Sequence, residues 1–334
     1  MTVSVHIIAY NEELTLPDLL RDIEEQTYPR EKTEIVLINS ASTDHTAQVI
    51  ADFAAKHSDF LAVRVGENPK RVTPAAWNAA LRLSSADVII HMDAHARIEK
   101  DFIEKNMRHI AAGEDIVGGY IGNFSLVNTP FGDAVNKAED AMFGGSFASF
   151  RRSEESGYVD TLGFAAYRKE VFETVGIYNE QFLRTEDNDM HYRMRKAGYK
   201  FFYTPEIRSM RKTRNSLLSL LKQKFLNGYW IGQTSKRSPK CFSTYHFVPF
   251  LFLLAILGTS LLAGFGLWFF AAAMWGAYSL VLLASVVVAF LTGGFNLFYL
   301  LLPVMLFALH IGYGVGTLIG FIHSYPFKEE DSES

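Results

Sequence analysis

His91-Met92-Asp93-Ala94-His95 closes an apolar run, Val88-Ile89-Ile90, that reads as a buried β-strand. A carboxylate at the end of such a strand must be hydrated, paired or bound to a metal. Asp93 and His95 stand two residues apart, and a backbone turn between them would let both grip one divalent cation. The alternative is that Asp93 caps a turn and His95 is a surface histidine. Two further polar clusters follow apolar runs: Ala9-Tyr10-Asn11-Glu12-Glu13, and Asn39-Ser40-Ala41-Ser42-Thr43-Asp44. A third, Arg184-Thr185-Glu186-Asp187, stands where a helix should begin, with Met190, Met194 and Ala197 on one face and Gly198 as its stop. Acids there complement the helix dipole, worth about 0.3–1 kcal/mol each. On the residues alone that is the simpler reading of Glu186, Asp187 and Asp189.

The elements that must position these residues alternate. Val3–Ile8, Glu34–Asn39, Leu61–Val65, Val88–Met92 and Ile116–Tyr120 read as strands. Leu16, Leu19, Leu20 and Ile23 recur at helical spacing between the first two. Ser42 or Thr43 is a candidate cap for a second helix carrying Ala47, Ile50 and Ala54. Thr73-Pro74 reads as a cap followed by proline at the first helical position, and Trp77, Ala80 and Leu81 mark the buried face. This pattern predicts an α/β fold, a mostly parallel sheet wrapped by helices. Ligands of such sheets bind beyond the carboxyl ends of the strands, where the polar clusters fall. No G-x-G-x-x-G follows the first strand and no G-x-x-x-x-G-K-[ST] is present, which argues against a dinucleotide cofactor and a P-loop nucleotidase.

A net charge of −4 and a hydrophobic fraction of 49% resemble a soluble enzyme, but the average conceals a partition. From Cys241 to Phe327 there is no Asp, Glu, Lys or Arg. A membrane-spanning helix needs roughly 20 apolar residues, so the run predicts about three spans, near 246–264, 267–291 and 298–322. The first turn, at Gly264 and Gly266, is tight enough for a re-entrant hairpin instead. His310 lies inside the third span, where a neutral imidazole bonded to a neighbouring helix is the expected state. Between Arg208 and Lys240 lie nine Lys or Arg and no Asp or Glu. Basic flanks stay cytoplasmic, which places the first part of the chain in the cytoplasm and, with three spans, the acidic tail outside. Val3–Ile8 already reads as a strand with no basic region before it, so no signal peptide is expected. The single cysteine, Cys241, forms no intrachain disulfide and fits a reducing compartment. The expected organisation is a catalytic domain over 1–206, basic amphipathic interfacial helices over 207–245, a transmembrane region over 246–327 and an acidic tail over 328–334.

Four motifs in order carry a resemblance: Ala9 to Glu13, Ile38 to Thr46, His91 to Ala96, and Thr185 to Tyr199. In order and spacing they resemble family-2 glycosyltransferases of the GT-A fold, most of all the succinoglycan glucosyltransferase type, which also carries Asp-Ala-His-Ala and a C-terminal membrane segment. The resemblance covers roughly residues 3–235. It implies transfer of a sugar from a nucleoside diphosphate to an acceptor hydroxyl. Asp93 and His95 then become the pair for a divalent metal, Mn²⁺ or Mg²⁺. The family usually has Asp-x-Asp here, and imidazole suits Mg²⁺ less well than carboxylate does, which favours Mn²⁺. Asp187 matches the family's catalytic base and Glu186 the neighbour that positions it. Ala9, Tyr10, Asn11 and Glu13 fall where the family meets base and ribose. Asn39 and Ser40 replace its usual Asp-Asp or Asp-Gly, leaving a UDP-sugar as the expected donor. Arg71 is placed to reach the diphosphate or else is a solvated surface arginine. Asn78 is expected to anchor the loop above the metal, and Asp44 to be a first-turn acid only.

Acceptor contacts are expected from Gly157–Phe164, with Gly163 in a strand. Asn123–Glu155, with Phe143-Gly144-Gly145-Ser146-Phe147, is expected to form a mobile acceptor loop. Leu217 to Trp230, interleaved with Lys222 and Lys224, reads as an interfacial helix for membrane lipid. A nucleic-acid partner is not expected, because the basic stretch adjoins the membrane run. The resulting expectation is a bacterial plasma-membrane enzyme, multi-pass, with a cytoplasmic catalytic domain. It would add one sugar to a polyprenyl-diphosphate-linked saccharide in exopolysaccharide or capsule assembly, beside other polysaccharide-assembly enzymes. Polyprenyl phosphate is the alternative acceptor, and a non-catalytic nucleotide-sugar-binding membrane protein is the alternative class.

Overall fold

The protein is described by a computed structural model, which covers residues 1–125, 129–141, 154–213 and 216–325. It divides into two compact units: the described residues of Met1–Phe124 and Ala148–Lys212, and those of Ser125–Phe147 and Thr213–Ser334.

In the first unit apolar runs and amphipathic helices alternate as the sequence predicts. They form β1 (Val3–Ala9), α1 (Leu16–Glu24), β2 (Thr33–Asn39), α2 (Thr46–Lys56), β3 (Ala62–Glu67), α3 (Thr73–Leu83) and β4 (Val88–Asp93). β5 (Ala96–Ile98), α4 (Phe102–Ala111) and β6 (Ile116–Phe124) follow. α5 (Pro130–Asp140) belongs to the second unit; β7 (Gly157–Val159), β8 (Ala166–Arg168), α6 (Lys169–Val175), α7 (Glu186–Lys196) and β9 (Phe201–Lys212) complete the first. The strands make one sheet in the order β3-β2-β1-β4-β8-β6-β9-β5, with β7 paired to β9.

The β3-β2-β1-β4 half is parallel. β2 is buried along its whole length, as a strand covered by helices on both faces must be. Leu16, Leu19, Leu20 and Ile23 of α1 are all buried against this core. Beyond β4 the sheet is mixed rather than mostly parallel: β8 runs antiparallel to both β4 and β6, and β5 antiparallel to β9. Three-residue strands such as β5, β7 and β8 are too short to show a period in sequence. Register then fixes the site. Ala9 pairs with Asn39, Asn39 with Glu67, and Ile8 with Asp93, so these strand ends share one edge.

Several local expectations are corrected. α2 begins at Thr46 after His45, not at Ser42 or Thr43, and α3 already includes Thr73, with Val72 before it. Gly163 lies in a bend, not a strand, because Phe164 takes a left-handed conformation, φ 49°. The segment expected to be an acceptor loop contains α5, whose first turn is capped by the Thr129 hydroxyl accepting from the Gly132 amide; Phe143–Phe147 lie outside the described residues. β9 continues to Lys212, past the boundary at 206 expected from the sequence.

The second unit contains α5, α8 (Leu217–Ser235), α9 (Val248–Gly264), α10 (Trp268–Gly293) and α11 (Leu302–Ile322). Among the described residues three helices are long and apolar enough to cross a membrane: Thr244–Gly264, Trp268–Gly293 and Leu297–Ile322. Gly266 and Gly294, at φ 86° and 76°, turn the chain between them in a conformation that other residues adopt only at a cost. Tyr278 and His310 share a 2.8 Å hydrogen bond between α10 and α11, the neighbouring-helix partner expected for that imidazole. Residues 328–334 lie outside the described residues.

Candidate active site

The loops after β1 and β2 are laced together by their own side chains. The Asn11 amide donates to the Ser42 hydroxyl at 3.1 Å, and the Thr43 amide donates to Asn11 Oδ1 at 2.8 Å. The Glu12 amide donates to Thr46 Oγ1 at 2.8 Å, and the Glu13 amide to Asp44 Oδ2 at 3.2 Å. The His45 amide returns a bond to Glu13 Oε2 at 2.9 Å. Asn11 and Glu13, expected at the nucleotide, thus join two loops, and Asp44 does more than serve a helix dipole. Hydrogen bonds from His45 hold the Glu13 carboxyl below its ordinary pKa.

Asp93 and His95 converge as expected, with Nε2 3.8 Å from Asp93 Oδ2. The other ring nitrogen, Nδ1, lies 3.0 Å from Glu12 Oε1. A carboxylate on one imidazole nitrogen fixes the ring and directs the other toward a metal. Glu12 is therefore a site residue that sequence reasoning did not single out; its signal was only its place in the first polar cluster. Burial opposes the imidazolium of His95, but the Glu12 hydrogen bond and the charges of Asp93 and Glu12 outweigh it and raise the pKa. Burial likewise opposes the Glu12 carboxylate, yet bonds from His95 and Thr15 lower its pKa. Both shifts favour the charged forms, so protonation of His95 competes with a metal at Nε2.

Among the described residues no group of three or more His, Cys, Asp or Glu forms a ready metal cage. A two-donor site still fits Mg²⁺ or Mn²⁺, which are commonly held by one or two protein carboxylates together with substrate phosphates. The oxygen of Asp93 and the aimed nitrogen of His95 form such a set.

α7 delivers Glu186 and Asp187. The Asn188 amide donates to Asp187 Oδ1 at 2.8 Å. The Asp187 side chain is exposed. Loss of hydration raises its pKa first, and the charge of Asp93 adds to this against the Asn188 bond. Glu186 is half-buried, and its Oε2 is a buried atom without a hydrogen-bond partner. Desolvation, then Asp187 and Asp93, push its pKa well above the usual carboxylate range. The charge of Asp93 contributes to both shifts, so it reaches the start of α7.

The remaining expected residues divide. Tyr10 is 49% exposed, and Arg71 stacks over its ring at 5.8 Å while donating to the Ala41 carbonyl at 2.9 Å. This pair can present a flat face and a cation to a ligand. Asn39 is buried: it donates to Glu67 Oε2 at 3.0 Å and accepts from the Ser42 amide at 3.1 Å. Ser40 is buried and accepts from Asn68 at 3.0 Å, and the Ala9 carbonyl is taken by the Ser40 amide. The exposed carboxylate at this edge is Glu67, on the neighbouring strand, which sequence reasoning missed. Asn11, Ala41 and Arg71 all hold left-handed backbone, φ 55°, 52° and 56°.

Asn78 does not reach a ligand. It is fully buried, accepting from the Tyr178 amide at 2.8 Å and donating to the Tyr178 carbonyl at 2.9 Å. It anchors the loop after α6, as expected of an anchor but not of a binding residue. Tyr178 lies 3.0 Å from His91 Nδ1, and His91 stacks on Trp77 at 4.4 Å. Burial drives the pKa values of His6 and His191 down to about 3, so the floor beneath β4 is uncharged.

Residues 4–176 match the family model described as glycosyl transferase family 2, more than half of the chain. The chain belongs to this family. It is a glycosyltransferase, and its sheet and helices are those of the GT-A fold. The chain is 27% identical over 261 residues to a dolichyl N-acetyl-alpha-D-glucosaminyl phosphate 3-beta-D-2,3-diacetamido-2,3-dideoxy-beta-D-glucuronosyltransferase of Methanococcus voltae, covering 76% of this chain and 80% of that protein. It is 29% identical over 202 residues to the succinoglycan biosynthesis protein ExoA of Rhizobium meliloti, covering 60% of this chain and 59% of that protein. A mannosyltransferase from Pyrobaculum calidifontis, solved with GDP-Man and Mn²⁺, superposes with a TM-score of 0.58 at 22% identity, over 95% of this chain and 86% of the other.

Proposed function

We propose that this glycosyltransferase is an inverting, membrane-associated enzyme. It moves one sugar from a UDP-sugar to a polyprenyl-diphosphate-linked saccharide in exopolysaccharide or capsule assembly, at the cytoplasmic face of a bacterial plasma membrane. The observation that carries this reading is Asp93 beside the Glu12-oriented His95 at the end of β4, with Asp187 opening α7 in the same unit and within reach of the Asp93 charge.

Asp187 takes the proton of the acceptor hydroxyl as that oxygen attacks the anomeric carbon. Its raised pKa brings it nearer to a working base. The raised pKa of Glu186 weakens the negative charge that it sets beside Asp187. Asp93 and His95 hold the divalent cation, which would supply Lewis-acid stabilisation of the leaving diphosphate. Tyr10 and Arg71 receive the nucleotide, with Glu67 at the same edge. Asp187 serves as the base and no second carboxylate is assigned as nucleophile among the described residues, so the expected course is a single displacement with inversion. A lipid-linked acceptor is supported by the name of the Methanococcus relative, whose acceptor is itself a dolichyl-phosphate sugar.

The test is UDP release by detergent-purified protein, with a panel of UDP-sugars and with polyprenyl phosphate or its saccharide diphosphate as acceptor. Mn²⁺-dependent release from one donor, raised by the saccharide diphosphate, is expected. Release raised only by bare polyprenyl phosphate would move the acceptor. UDP binding without any turnover would indicate a binder.

A further inference from the structure

Phe321, near the end of α11, packs on Phe247 and Phe250 at the start of α9, with ring centroids 6.4 and 5.5 Å apart. Three ordinary membrane crossings cannot produce this contact. Three crossings joined by tight turns would set α9 antiparallel to α10, and α10 antiparallel to α11. Three crossings would therefore leave the start of α9 and the end of α11 on opposite faces, separated by a hydrocarbon core about 30 Å thick. One of these helices does not cross.

α8 decides which. It runs parallel to α11 and in contact with it throughout. Leu220 packs among Leu302, Leu306 and Leu309, and Gln233 reaches the His323 carbonyl at 2.8 Å. Between these ends glycines allow backbone contact. A Cβ on Gly228 would lie 2.1 Å from the Tyr313 oxygen, and one on Gly316 2.2 Å from the Phe225 oxygen. This is the close approach that small residues permit between apolar helices. Where α11 goes, α8 goes.

α8 is a poor membrane span. It carries Lys222, Gln223, Lys224, Asn227 and Gln233, and lysine near the middle of a span is strongly disfavoured. Arg208, Arg211 and Lys212 precede it, while Lys236, Arg237 and Lys240 follow it. Basic clusters resist translocation, so both ends of α8 stay on one face. α9 and α10 carry no charge and are open nearly all round: 6% and 11% of their apolar windows are buried, against 39% for the third helix.

We infer that α9 and α10 form a single transmembrane hairpin and that α8 and α11 lie together on the face from which it enters, so that the chain after Ile322 stays on that face. The surface this pair offers is apolar along α11, at Val304, Ile319 and Ile322, and basic at both ends of α8. Its partner is the anionic surface of a bilayer. The inference rests on the membrane reading but not on the reaction.

Single cysteines test it, in a Cys241→Ser background, with a membrane-impermeant maleimide on intact cells and on inside-out vesicles. Phe265→Cys, in the α9–α10 turn, is expected to label in intact cells. Phe295→Cys and Ser334→Cys are expected to label only in inside-out vesicles. Labelling of Ser334→Cys in intact cells would overturn the inference, as would protection of Phe265→Cys there. A carboxyl-terminal green-fluorescent reporter, which needs no cysteine variant, is expected to fluoresce, and a dark fusion with full-length accumulation would count against it. The labelling pattern does not depend on turnover, so a failed transferase assay leaves it intact.

Discussion

Glu186 and Asp187 stand side by side but answer to different physics. A positioned base contributes about 10²–10⁴ in rate, so Asp187→Asn is expected to lower kcat by that factor while UDP-sugar binding stays within a few-fold. Near-normal turnover by this variant would remove Asp187 from the role. Glu186 has a raised pKa, so the folded protein binds its proton more tightly than the unfolded chain does. Its contribution is then full below the ordinary glutamate value of about 4.3 and is lost as pH rises toward the folded value. Glu186→Gln removes that loss. The variant should melt several degrees above the parent at neutral pH, with the advantage vanishing below about pH 4; thermal scans in detergent across that range measure it. At the metal pair, His95→Asp should shift the ratio of Mn²⁺- to Mg²⁺-supported rates toward Mg²⁺, because a carboxylate is the harder ligand. An unchanged ratio would take His95 off the metal. Asp93, His95 and Asp187 were legible in the sequence because each follows or opens a recognisable element. The buried partners of Asn39, Ser40 and Asn78 were not legible, because only long-range contacts show which groups a polar residue serves. Glu12 and Glu67 needed partners 83 and 28 residues away to become visible.

At the scale of elements, the strand candidates could be read because burial on both faces makes continuous apolar runs, and the helices between them because burial on one side forces periodicity. β5, β7 and β8 could not, since three residues hold no period and their pairing is set by neighbours. The α8–α11 pair is the element most exposed to a single change. Gly228→Leu or Gly316→Leu must push a carbonyl aside, and overpacking costs about 1–3 kcal/mol or more. Each substitution should lower the melting temperature in detergent by several degrees. Gly258→Leu, at a position where a Cβ would meet nothing within 4 Å, should leave it unchanged and serves as the control. Equal melting for all three would mean the two helices are not closely packed.

For the whole molecule, mean composition was a poor guide and charge order a good one. A net charge of −4 says nothing of a membrane, whereas the charge-free stretch from Cys241 to Phe327 marks where the helices long and apolar enough to cross one lie. With α9 and α10 so open, the protein should stay in the pellet after alkaline carbonate washing; recovery in the supernatant would mean that no helix is embedded.

The left-handed backbone at Asn11, Ala41 and Arg71 has a consequence for evolution of the enzyme. For a residue with a side chain, that conformation costs roughly 1–2 kcal/mol, and at Ala41 glycine would relieve it. A lineage selected only for durability would drift toward glycine there. The lacing between the first two loops would then close around a looser hinge, trading a rigid rim for a tougher protein. Retaining alanine keeps the rim rigid before any substrate arrives.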